Sequence, residues 1–384
     1  MNVAIYSNSS FGGCYEYAKQ IAQAYCNNAE IKNCYALFPK GGGKGCSCAV
    51  PKLMKDKIFS RKILLLGKIY FIIRSILNPL KAFRFAKKNN INLFIFNDFD
   101  QVSSFFWTRM FKKRTFKVAI ILHDPDRTAY FSRKKWSESS MQRIMDVVDI
   151  AFYHEKLPDL PYYKNSDQRI LYAKIPHGIY PPAPDDLDIK QTIKKIKDSG
   201  LKIVSITGNI RTEKNYRLAI QATAKISNIA LLIAGRTVTT QENIDDYKNY
   251  AKENNVEDRV FFLTKYLNNS EMSTILKYSD IVLLYYSQTF KSQSGILNSL
   301  TPFSPKLIVS DTDSGMAYSA RRFKLAKMVV PDNVDALIDA IKNYPEQNPY
   351  EKSWKVFEEY SSWKRNIEIQ ISTYKKILQT KNDK

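Results

Sequence analysis

The sequence predicts an α/β protein built from two similar halves. Apolar segments of strand length, such as Leu93–Phe96 and Ile150–Tyr153, alternate with amphipathic helical segments along the 384 residues. This alternation is typical of parallel strands joined by crossover helices. The length suits two domains of about 100–200 residues each. A hydrophobic content of 44% supplies enough apolar side chains for two cores.

The same pattern predicts the individual elements. In the first half we predict strands at Val3–Tyr6, Leu93–Phe96, Val118–Leu122 and Ile150–Tyr153, and a helix at 15–26. In the second half we predict strands at Lys202–Thr207, Ala230–Ala234, Arg259–Leu263, Asp280–Tyr285 and Lys306–Ser310, and helices at 216–224 and 270–278. Ser270 is the expected N-cap of the last of these helices.

The boundary between the halves is predicted where three prolines and two adjacent acidic residues interrupt the pattern, at 180–190. Such a cluster is typical of a linker. We therefore predict a first domain at 1–183, a second domain at 184–345 and a helical tail at 346–384.

The charge indicates an anionic partner. The chain carries 59 Lys and Arg against 37 Asp and Glu, which gives a formal net charge of +22. Nucleic acid, an anionic membrane surface and a phosphorylated substrate are the candidates. Salt is expected to weaken the attraction.

The basic segment 52–88 favours a membrane among these partners. Basic and apolar side chains are interleaved there at helical spacing, as in helices that lie in a membrane interface. The alternatives are a helix packed on its own sheet with a solvated basic face, and a nucleic-acid site, although exposed aromatic platforms are more typical of the latter. The apolar run Ile63–Leu77 contains Lys68 and Arg74 and is too short to span a bilayer. Since no secretory signal is visible, we expect a cytoplasmic protein at the inner face of the membrane.

The five cysteines all lie in the first 48 residues. Their odd number and the length of the chain argue against a disulfide framework. Cys46 and Cys48 form a C-x-C pair with no second ligand pair beside it in the sequence, whereas zinc usually takes four ligands. Reduced, structural thiols are therefore predicted, and no metal site.

Three strand–loop–helix junctions carry residues suited to phosphate and sugar binding. The first, SNSSFGGCYEYA at 7–18, has Gly12 and Gly13 before a helix N-terminus, where backbone N–H groups bind anions or sugar hydroxyls. A tight turn is the alternative there. The second, at 207–222, places Arg211 and Lys214 after Gly208, and a planar fork beside a point charge suits a diphosphate. The alternative is two exposed cations.

The third junction, at 285–300, offers hydroxyls and N–H groups at the start of a helix. It contains Ser292, Gln293, Ser294 and Gly295, and phosphate binds well at such helix N-termini. Gly235 and the Lys265–Tyr266 pair fall at the ends of neighbouring predicted strands. Ligands bind at this edge of parallel sheets.

Proton chemistry is assigned to residues that follow strands in the first half. LHDPD at 122–126 contains His123 and Asp124, and a histidine there can act as a base or hydrogen-bond a sugar hydroxyl. A capping or packing role is the alternative. Asp98 is a weaker acid candidate. His177 is expected to shape the linker turn.

Residues 175–315 resemble the donor domain of GT-B glycosyltransferases, especially retaining glycosyltransferase family 4. The resemblance is carried by IPHGIY at 175–180, GNIRTEKN at 208–215, LLIAG at 231–235 and the stretch that begins with SGILNSL at 294–300. It implies two Rossmann-like domains facing a cleft, with a C-terminal helix that packs back across both. The first half matches through its Gly12–Gly13 loop and His123.

The resemblance also implies roles. Arg211 and Lys214 would hold the donor diphosphate and the charge that develops on the leaving nucleotide. Gly208 and Gly235 would belong to the donor-binding residues, with Gly235 lining the base and ribose. The remaining donor-side residues would be Lys265, Tyr266, Ser292, Gln293, Ser294 and Gly295, and the acceptor side would be Gly12, Gly13, Asp98 and Asp124. His123 would face the reacting sugar.

The implied activity is a metal-independent, retaining hexosyltransferase without a cofactor. It would move a sugar from a nucleotide-sugar to a glycan or lipid-linked acceptor in bacterial surface polysaccharide or lipopolysaccharide biosynthesis. The family's Glu-x7-Glu pair is absent, and KSQSG stands at 291–295 instead. A degenerate enzyme, a non-catalytic protein that binds polyanions or acidic glycans, and a polyol-phosphate transferase on the same scaffold therefore remain alternatives. Nucleic acid is not the expected partner, and the sequence leaves the oligomeric state open.

Overall fold

A computed structural model of the chain describes residues 1–56, 64–111, 114–127, 133–164, 170–237 and 242–382. The part of the predicted basic segment at 57–63 lies outside the described residues. Two compact units are present: Met1–Gly178 with Ser362–Lys384, and Ile179–Ser361.

The first unit contains a seven-stranded, fully parallel sheet in the order β3-β2-β1-β4-β5-β6-β7. Its strands are β1 (Asn2–Tyr6), β2 (Asn33–Pro39), β3 (Ala49–Leu53), β4 (Leu93–Phe96), β5 (Lys117–Leu122), β6 (Ile150–Tyr153) and β7 (Leu171–Lys174). Its helices before the boundary are α1 (Gly13–Cys26), α2 (Leu64–Lys88), α3 (Ser104–Phe111), α4 (Lys134–Met145) and α5 (Pro161–Lys164). Apolar clusters lie on both faces of the sheet, as parallel sheets require.

The second unit contains a six-stranded parallel sheet in the order β10-β9-β8-β11-β12-β13. Its strands are β8 (Lys202–Thr207), β9 (Ile229–Ala234), β10 (Val260–Leu263), β11 (Ile281–Leu284), β12 (Leu307–Ser310) and β13 (Lys327–Val329). Its helices are α6 (Leu187–Asp198), α7 (Tyr216–Lys225), α8 (Ile244–Glu253), α9 (Asn269–Tyr278), α10 (Gly295–Leu300), α11 (Gly315–Phe323), α12 (Val334–Lys342) and α13 (Glu351–Tyr360).

The predicted helical tail belongs to two units. Helix α13 packs within the second unit, whereas the last helix, α14 (Trp363–Asn382), packs on the first sheet beside α1. The division between the units follows Gly178, where the sequence predicted a boundary after residue 183. Asp186, predicted as part of a linker, is instead the N-cap of α6 and accepts a hydrogen bond from the Ile189 N–H.

The prediction of Ser270 as an N-cap is wrong. Asn268 caps α9, and its side chain accepts a hydrogen bond from the backbone of Glu271 while the Glu271 carboxylate accepts one from the Asn268 N–H. The asparagine amide and the glutamate thus satisfy two free N–H groups reciprocally, so the helix begins one residue earlier. The predicted strands β4, β6 and β8 are confirmed with their bounds.

Helix α2 has one face on the sheet and a strongly apolar face in solvent. Ala82 and Ala86 are buried, and so is Arg74, which pairs with Asp56 at 2.5 Å. Arg74 is therefore not one of the solvated cations that the sequence suggested. The exposed large apolar side chains of α2 are Leu65, Leu66, Ile69, Phe71, Ile72, Ile73 and Leu77. In the described parts of the chain, no helix combines the length and apolar content needed to cross a bilayer.

Candidate functional site

The candidate site of the second unit lies where the strand order of its sheet reverses. Strands β8 and β11 are neighbours, and the chain continues outward from them in opposite directions. The loops that follow these strands leave the carboxyl edge of the sheet at this switch point, which is where open α/β sheets bind ligands. These two loops belong to the second and third strand–loop–helix junctions predicted from the sequence, at 207–222 and 285–300.

Gly208 and Gly235 bring two loop backbones into contact beside β8. Gly208 has a φ of 95° and its N–H donates to the Ala234 carbonyl at 2.9 Å. Gly235 has a φ of 152°, and a Cβ atom on it would lie 1.9 Å from the Gly208 carbonyl oxygen. Only glycine fits at Gly235, because any side chain there would collide with the Gly208 backbone.

Lys214 is not the exposed cation that the sequence suggested. Its side chain is buried, and its Nζ donates to the Thr207 carbonyl oxygen at 2.6 Å. A 3-10 turn at Thr212–Lys214, followed by Asn215 with a φ of 53°, folds the lysine back beneath the end of β8. Arg211 precedes this turn and is exposed, so one cation is buried at the sheet edge and the other lies in solvent.

Burial changes the chemistry of Lys214. Desolvation, together with the nearby charge of Arg211, lowers the pKa of its ammonium group to about 7. An anionic ligand stabilises the charged form of such a buried lysine, because a negative charge beside the ammonium replaces its lost hydration.

The loop after β11 reaches Lys214 through Tyr286, which the sequence reasoning missed. The Tyr286 ring lies 5.8 Å from Lys214 Nζ, and its hydroxyl lies 3.3 Å from the Ser294 Oγ. Ser294 is the N-cap of α10 without a side-chain cap bond, and Gly295 is the exposed first residue of that short helix. An aromatic pair directly after a buried strand, at 285–286, is the pattern that could have indicated this contact.

Ser292 and Gln293 lie farther into the unit. The Ser292 carbonyl accepts a hydrogen bond from the Met316 N–H at 3.4 Å, and the Gln293 amide donates to the Ser319 hydroxyl at 3.1 Å. Both contacts are to α11. Of the described groups, the Gln293 Oε1 and both amide atoms of Asn298 are buried without a hydrogen-bond partner, which is uncommon in folded proteins.

Lys265 and Tyr266 are adjacent in sequence, but their side chains contact different residues. Lys265 forms an ion pair with Glu271 and so supports the start of α9. Tyr266 is exposed, and the guanidinium of Arg236 lies 5.1 Å from the centre of its ring. The open aromatic face is therefore formed by Tyr266 with Arg236, a residue that the sequence reasoning did not select although it follows Gly235 directly.

In the first unit, the β1–α1 loop is held by Asp98. Its carboxylate accepts hydrogen bonds from the Asn8 N–H at 2.5 Å and from the Ser7 hydroxyl at 3.3 Å. Burial raises the pKa of the Asp98 carboxyl above its usual value. The loop ends at Gly12, which has a φ of 86°, and Gly13 begins α1. Asp98 is thus placed to orient the glycine loop at the switch point between β1 and β4.

His123 follows β5 and packs against a tyrosine at the same sheet edge. Its Nε2 lies 3.2 Å from the Asn97 Oδ1, and its ring lies 4.5 Å from the Tyr17 ring. Desolvation, with a contribution from the charge of His177, lowers the pKa of His123 to about 3. The imidazole is therefore neutral at physiological pH. Asp124 follows it, half-buried.

The other two histidines join His123, which the sequence reasoning did not foresee. The His154 ring lies 5.4 Å from that of His123 and 5.0 Å from that of His177. His177 packs 5.0 Å from the Tyr17 ring, so it does more than shape a turn. Each histidine comes within a few residues of the end of β5, β6 or β7, and that position in the sequence could have grouped them.

Comparison with known proteins identifies the fold. Residues 188–294 match the family described as "Glycosyl transferases group 1". Sucrose-phosphate synthase from Thermosynechococcus elongatus superposes with a TM-score of 0.73 at 13% identity, covering 99% of both chains. The fold is GT-B. The predicted resemblance to GT-B glycosyltransferases and the predicted fold class of two Rossmann-like α/β domains are confirmed.

Two further structures share this GT-B fold. HepE from Anabaena, in complex with UDP-glucose, superposes with a TM-score of 0.70 at 12% identity and full coverage of both chains. WaaG, a glycosyltransferase involved in lipopolysaccharide biosynthesis, gives a TM-score of 0.64 at 13% identity, covering 97% of this chain and 98% of its own. No curated protein sequence matches the chain.

Proposed function

We propose that this GT-B protein is a glycosyltransferase that takes a sugar from a nucleotide-sugar bound in the second unit. The observation that carries the proposal is the buried ammonium of Lys214 beneath Gly208, with Arg211 exposed on the same turn. A buried ammonium and an exposed guanidinium beside a glycine backbone suit a diphosphate and the charge that develops on it as the sugar leaves. HepE, which shares the fold, is described in complex with UDP-glucose.

The neighbouring residues complete the donor site in this proposal. Ser294 and Gly295 bind the diphosphate with their N–H groups, while Tyr266 and Arg236 offer an aromatic and cationic face to the nucleoside. Ser292 and Gln293 support that helix start through their contacts with α11. The two cations neutralise the diphosphate, so we propose a metal-independent reaction with no cofactor and, on the resemblance to family 4, retention of configuration.

His123 is proposed to hydrogen-bond a hydroxyl group of the reacting sugar. A base with a pKa of about 3 removes protons poorly at neutral pH, so the neutral ring acts as a hydrogen-bonding partner rather than as a proton acceptor. Gly12, Gly13 and Asp98 shape the acceptor side, with Asp124 beside His123.

The acceptor is proposed to be a glycan or lipid-linked glycan at the cytoplasmic membrane face. Helix α2 combines an exposed apolar stripe with the exposed cations Lys68, Lys81, Arg84, Lys87 and Lys88. This combination suits an anionic lipid surface, where each cation contributes about 1 kcal/mol. Bacterial surface polysaccharide or lipopolysaccharide assembly is the pathway we propose, since WaaG shares the fold.

The donor assignment is tested by thermal unfolding in the presence of UDP, GDP, ADP, CMP and their sugar conjugates. A ligand at 100 times its Kd adds about 2.7 kcal/mol, which is about 5–10 °C for a unit of this size. We expect one nucleotide to produce such a shift. Arg211→Ala is expected to weaken binding at least tenfold, because it removes charge-assisted hydrogen bonds.

Lys202→Ala is the matched control. Lys202 is an exposed cation on the same strand, at the opposite end from Gly208, so its removal changes the net charge equally without touching the site. If the nucleotide raises the unfolding temperature of Arg211→Ala and of Lys202→Ala by the same amount, the assignment of the donor site to this loop is wrong. Binding of polyanions at low salt with no nucleotide preference would instead support a non-catalytic protein.

A further inference from the structure

Four of the five cysteines come together in the first unit. The Sγ atoms of Cys26, Cys34 and Cys48 all lie within 4.8 Å of one another, and the Cys46 Sγ lies 3.6 Å from that of Cys48. All four are free thiols. The sequence prediction of an isolated C-x-C pair is therefore incomplete, because the fold adds two thiols that are 12 or more positions away in the chain.

Three separate elements supply these thiols. Cys26 is the last residue of α1, and Cys34 lies near the start of β2. Cys46 and Cys48 lie in the loop before the edge strand β3, and the Cys48 carbonyl accepts a hydrogen bond from the Ala36 N–H of β2 at 2.9 Å. The cluster therefore lies where α1, β2 and the loop to the edge strand β3 meet.

The loop at 40–48 is an unusual connection. It joins the parallel neighbours β2 and β3 without a helix, whereas such crossovers usually take a dozen or more residues. It turns sharply at Gly43, which has a φ of 87° and whose N–H donates to the Tyr15 hydroxyl at 2.8 Å. A Cβ atom on Gly43 would lie 2.6 Å from that of Ala49. This path directs Cys46 and Cys48 toward α1.

The spacing of the sulfur atoms suits one tetrahedral metal ion. Zinc–thiolate bonds of about 2.3 Å place the sulfur atoms about 3.8 Å apart. The Cys46–Cys48 distance of 3.6 Å is close to this value, and the sulfur atoms of Cys26, Cys34 and Cys48 lie within 4.8 Å of one another, while Cys46 joins this group of three through Cys48. An iron–sulfur cluster needs inorganic sulfide between the thiolates and holds them farther apart.

We propose that Cys26, Cys34, Cys46 and Cys48 bind one Zn²⁺ ion in a closed, structural site. With four thiolates the ion has no open position for a substrate. It fastens the loop at 40–48, and with it the edge strand β3, to the end of α1. This site is independent of the donor site in the second unit.

The test is the metal content of the full chain, purified under reducing conditions without chelator, supplied with Zn²⁺ and gel-filtered before elemental analysis. We expect about one zinc per chain in the wild type and background zinc in Cys26→Ser and Cys48→Ser. Cys26 is exposed, so its replacement does not disturb a core. Cobalt-loaded protein is expected to show the thiolate charge-transfer and tetrahedral ligand-field bands, and Cys26→Ser to lose them.

Cys14→Ser is the matched control, because Cys14 lies on the same helix about 18 Å from Cys26 along its axis. It is expected to retain full zinc. Background zinc in the wild type, stoichiometric iron in place of zinc, or a disulfide within the cluster in reduced protein would each overturn the proposal. So would equal zinc in Cys14→Ser and Cys48→Ser.

Discussion

Lys214 holds its ammonium group where a charge is costly, and the ammonium donates a hydrogen bond to the backbone carbonyl of Thr207. Most lysines in this basic chain lie in solvent, but this one is folded under β8 by the turn at 212–214. The residue type and its place after a strand could be read from the sequence. Its burial could not, because that depends on the left-handed Asn215 and on Tyr286 from the loop after β11.

The depressed pKa of Lys214 predicts a pH dependence of donor binding. Below its pKa of about 7 the ammonium is charged, and above it the neutral amine no longer attracts a diphosphate. Affinity for the nucleotide-sugar that binds is therefore expected to fall severalfold between pH 6.5 and 8.5, as measured by calorimetry. The donor's diphosphate diester does not titrate in this range. Lys214→Arg stays charged and is expected to bind with little pH dependence.

The stability of the unliganded protein should change in the opposite direction. The pKa of Lys214 is about 7 when folded and 10.5 in its ordinary state, so the unfolded chain binds more protons between these values. The free energy of unfolding therefore rises as pH increases from 7, and Lys214→Met removes this contribution.

The binding prediction has its own contradicting outcome. A wild-type affinity for the nucleotide-sugar that is constant from pH 6.5 to 8.5 would contradict the assignment of Lys214 to the donor diphosphate.

At the scale of an element, α2 differs from the other helices of the first unit in what it leaves exposed. Leu65 is 70% exposed, and Phe105 on the adjacent α3 is 59% exposed. Contiguous exposed apolar surface next to cations marks a membrane or protein contact more often than a solvated face. The alternative of a helix packed on its own sheet explains why Ala82 and Ala86 are buried, but it does not explain the exposed apolar side chains of α2.

We predict that removing four charges from α2 weakens binding to anionic vesicles. The change of Lys81, Arg84, Lys87 and Lys88 to Gln removes about 4 kcal/mol of electrostatic attraction and should reduce binding in flotation assays at low salt by at least tenfold. The matched control changes Lys190, Lys194, Lys195 and Lys197 of α6 to Gln, which removes the same charge from the second unit. Equal loss for the two variants would indicate that net charge alone, rather than α2, attracts the vesicles.

The elements themselves could be predicted to different degrees. Inner strands such as Leu93–Phe96 and Ile150–Tyr153 are continuous apolar runs, and their bounds are confirmed. Edge strands such as β3 and β13 are short and only partly buried, so they lack that pattern and were not predicted. Contacts between segments far apart in sequence, such as those among the four cysteines, become visible only once the strand order is known.

At the scale of the whole chain, the two ends of the sequence share one core. Helix α14 buries Ile367, Ile371, Tyr374 and Ile377 against the first sheet, and its Asn366 donates to the Tyr17 hydroxyl at 2.7 Å. The last residues therefore complete the unit that begins at Met1, although the second unit lies between them in sequence. The sequence predicted the helix but not the unit to which it belongs, because its apolar face suits either sheet.

This arrangement predicts which unit a C-terminal mutation destabilises. Ile371→Ala leaves a cavity under α14 and is expected to cost about 2–5 kcal/mol, whereas Leu378→Ala removes a side chain that is 41% exposed and should cost less than about 0.5 kcal/mol. In calorimetry with the nucleotide that binds, Ile371→Ala should lower a transition that the ligand does not raise, because the donor site lies in the other unit. If Ile371→Ala instead lowers the ligand-stabilised transition by the same amount, the two units unfold together and α14 is not specific to the first.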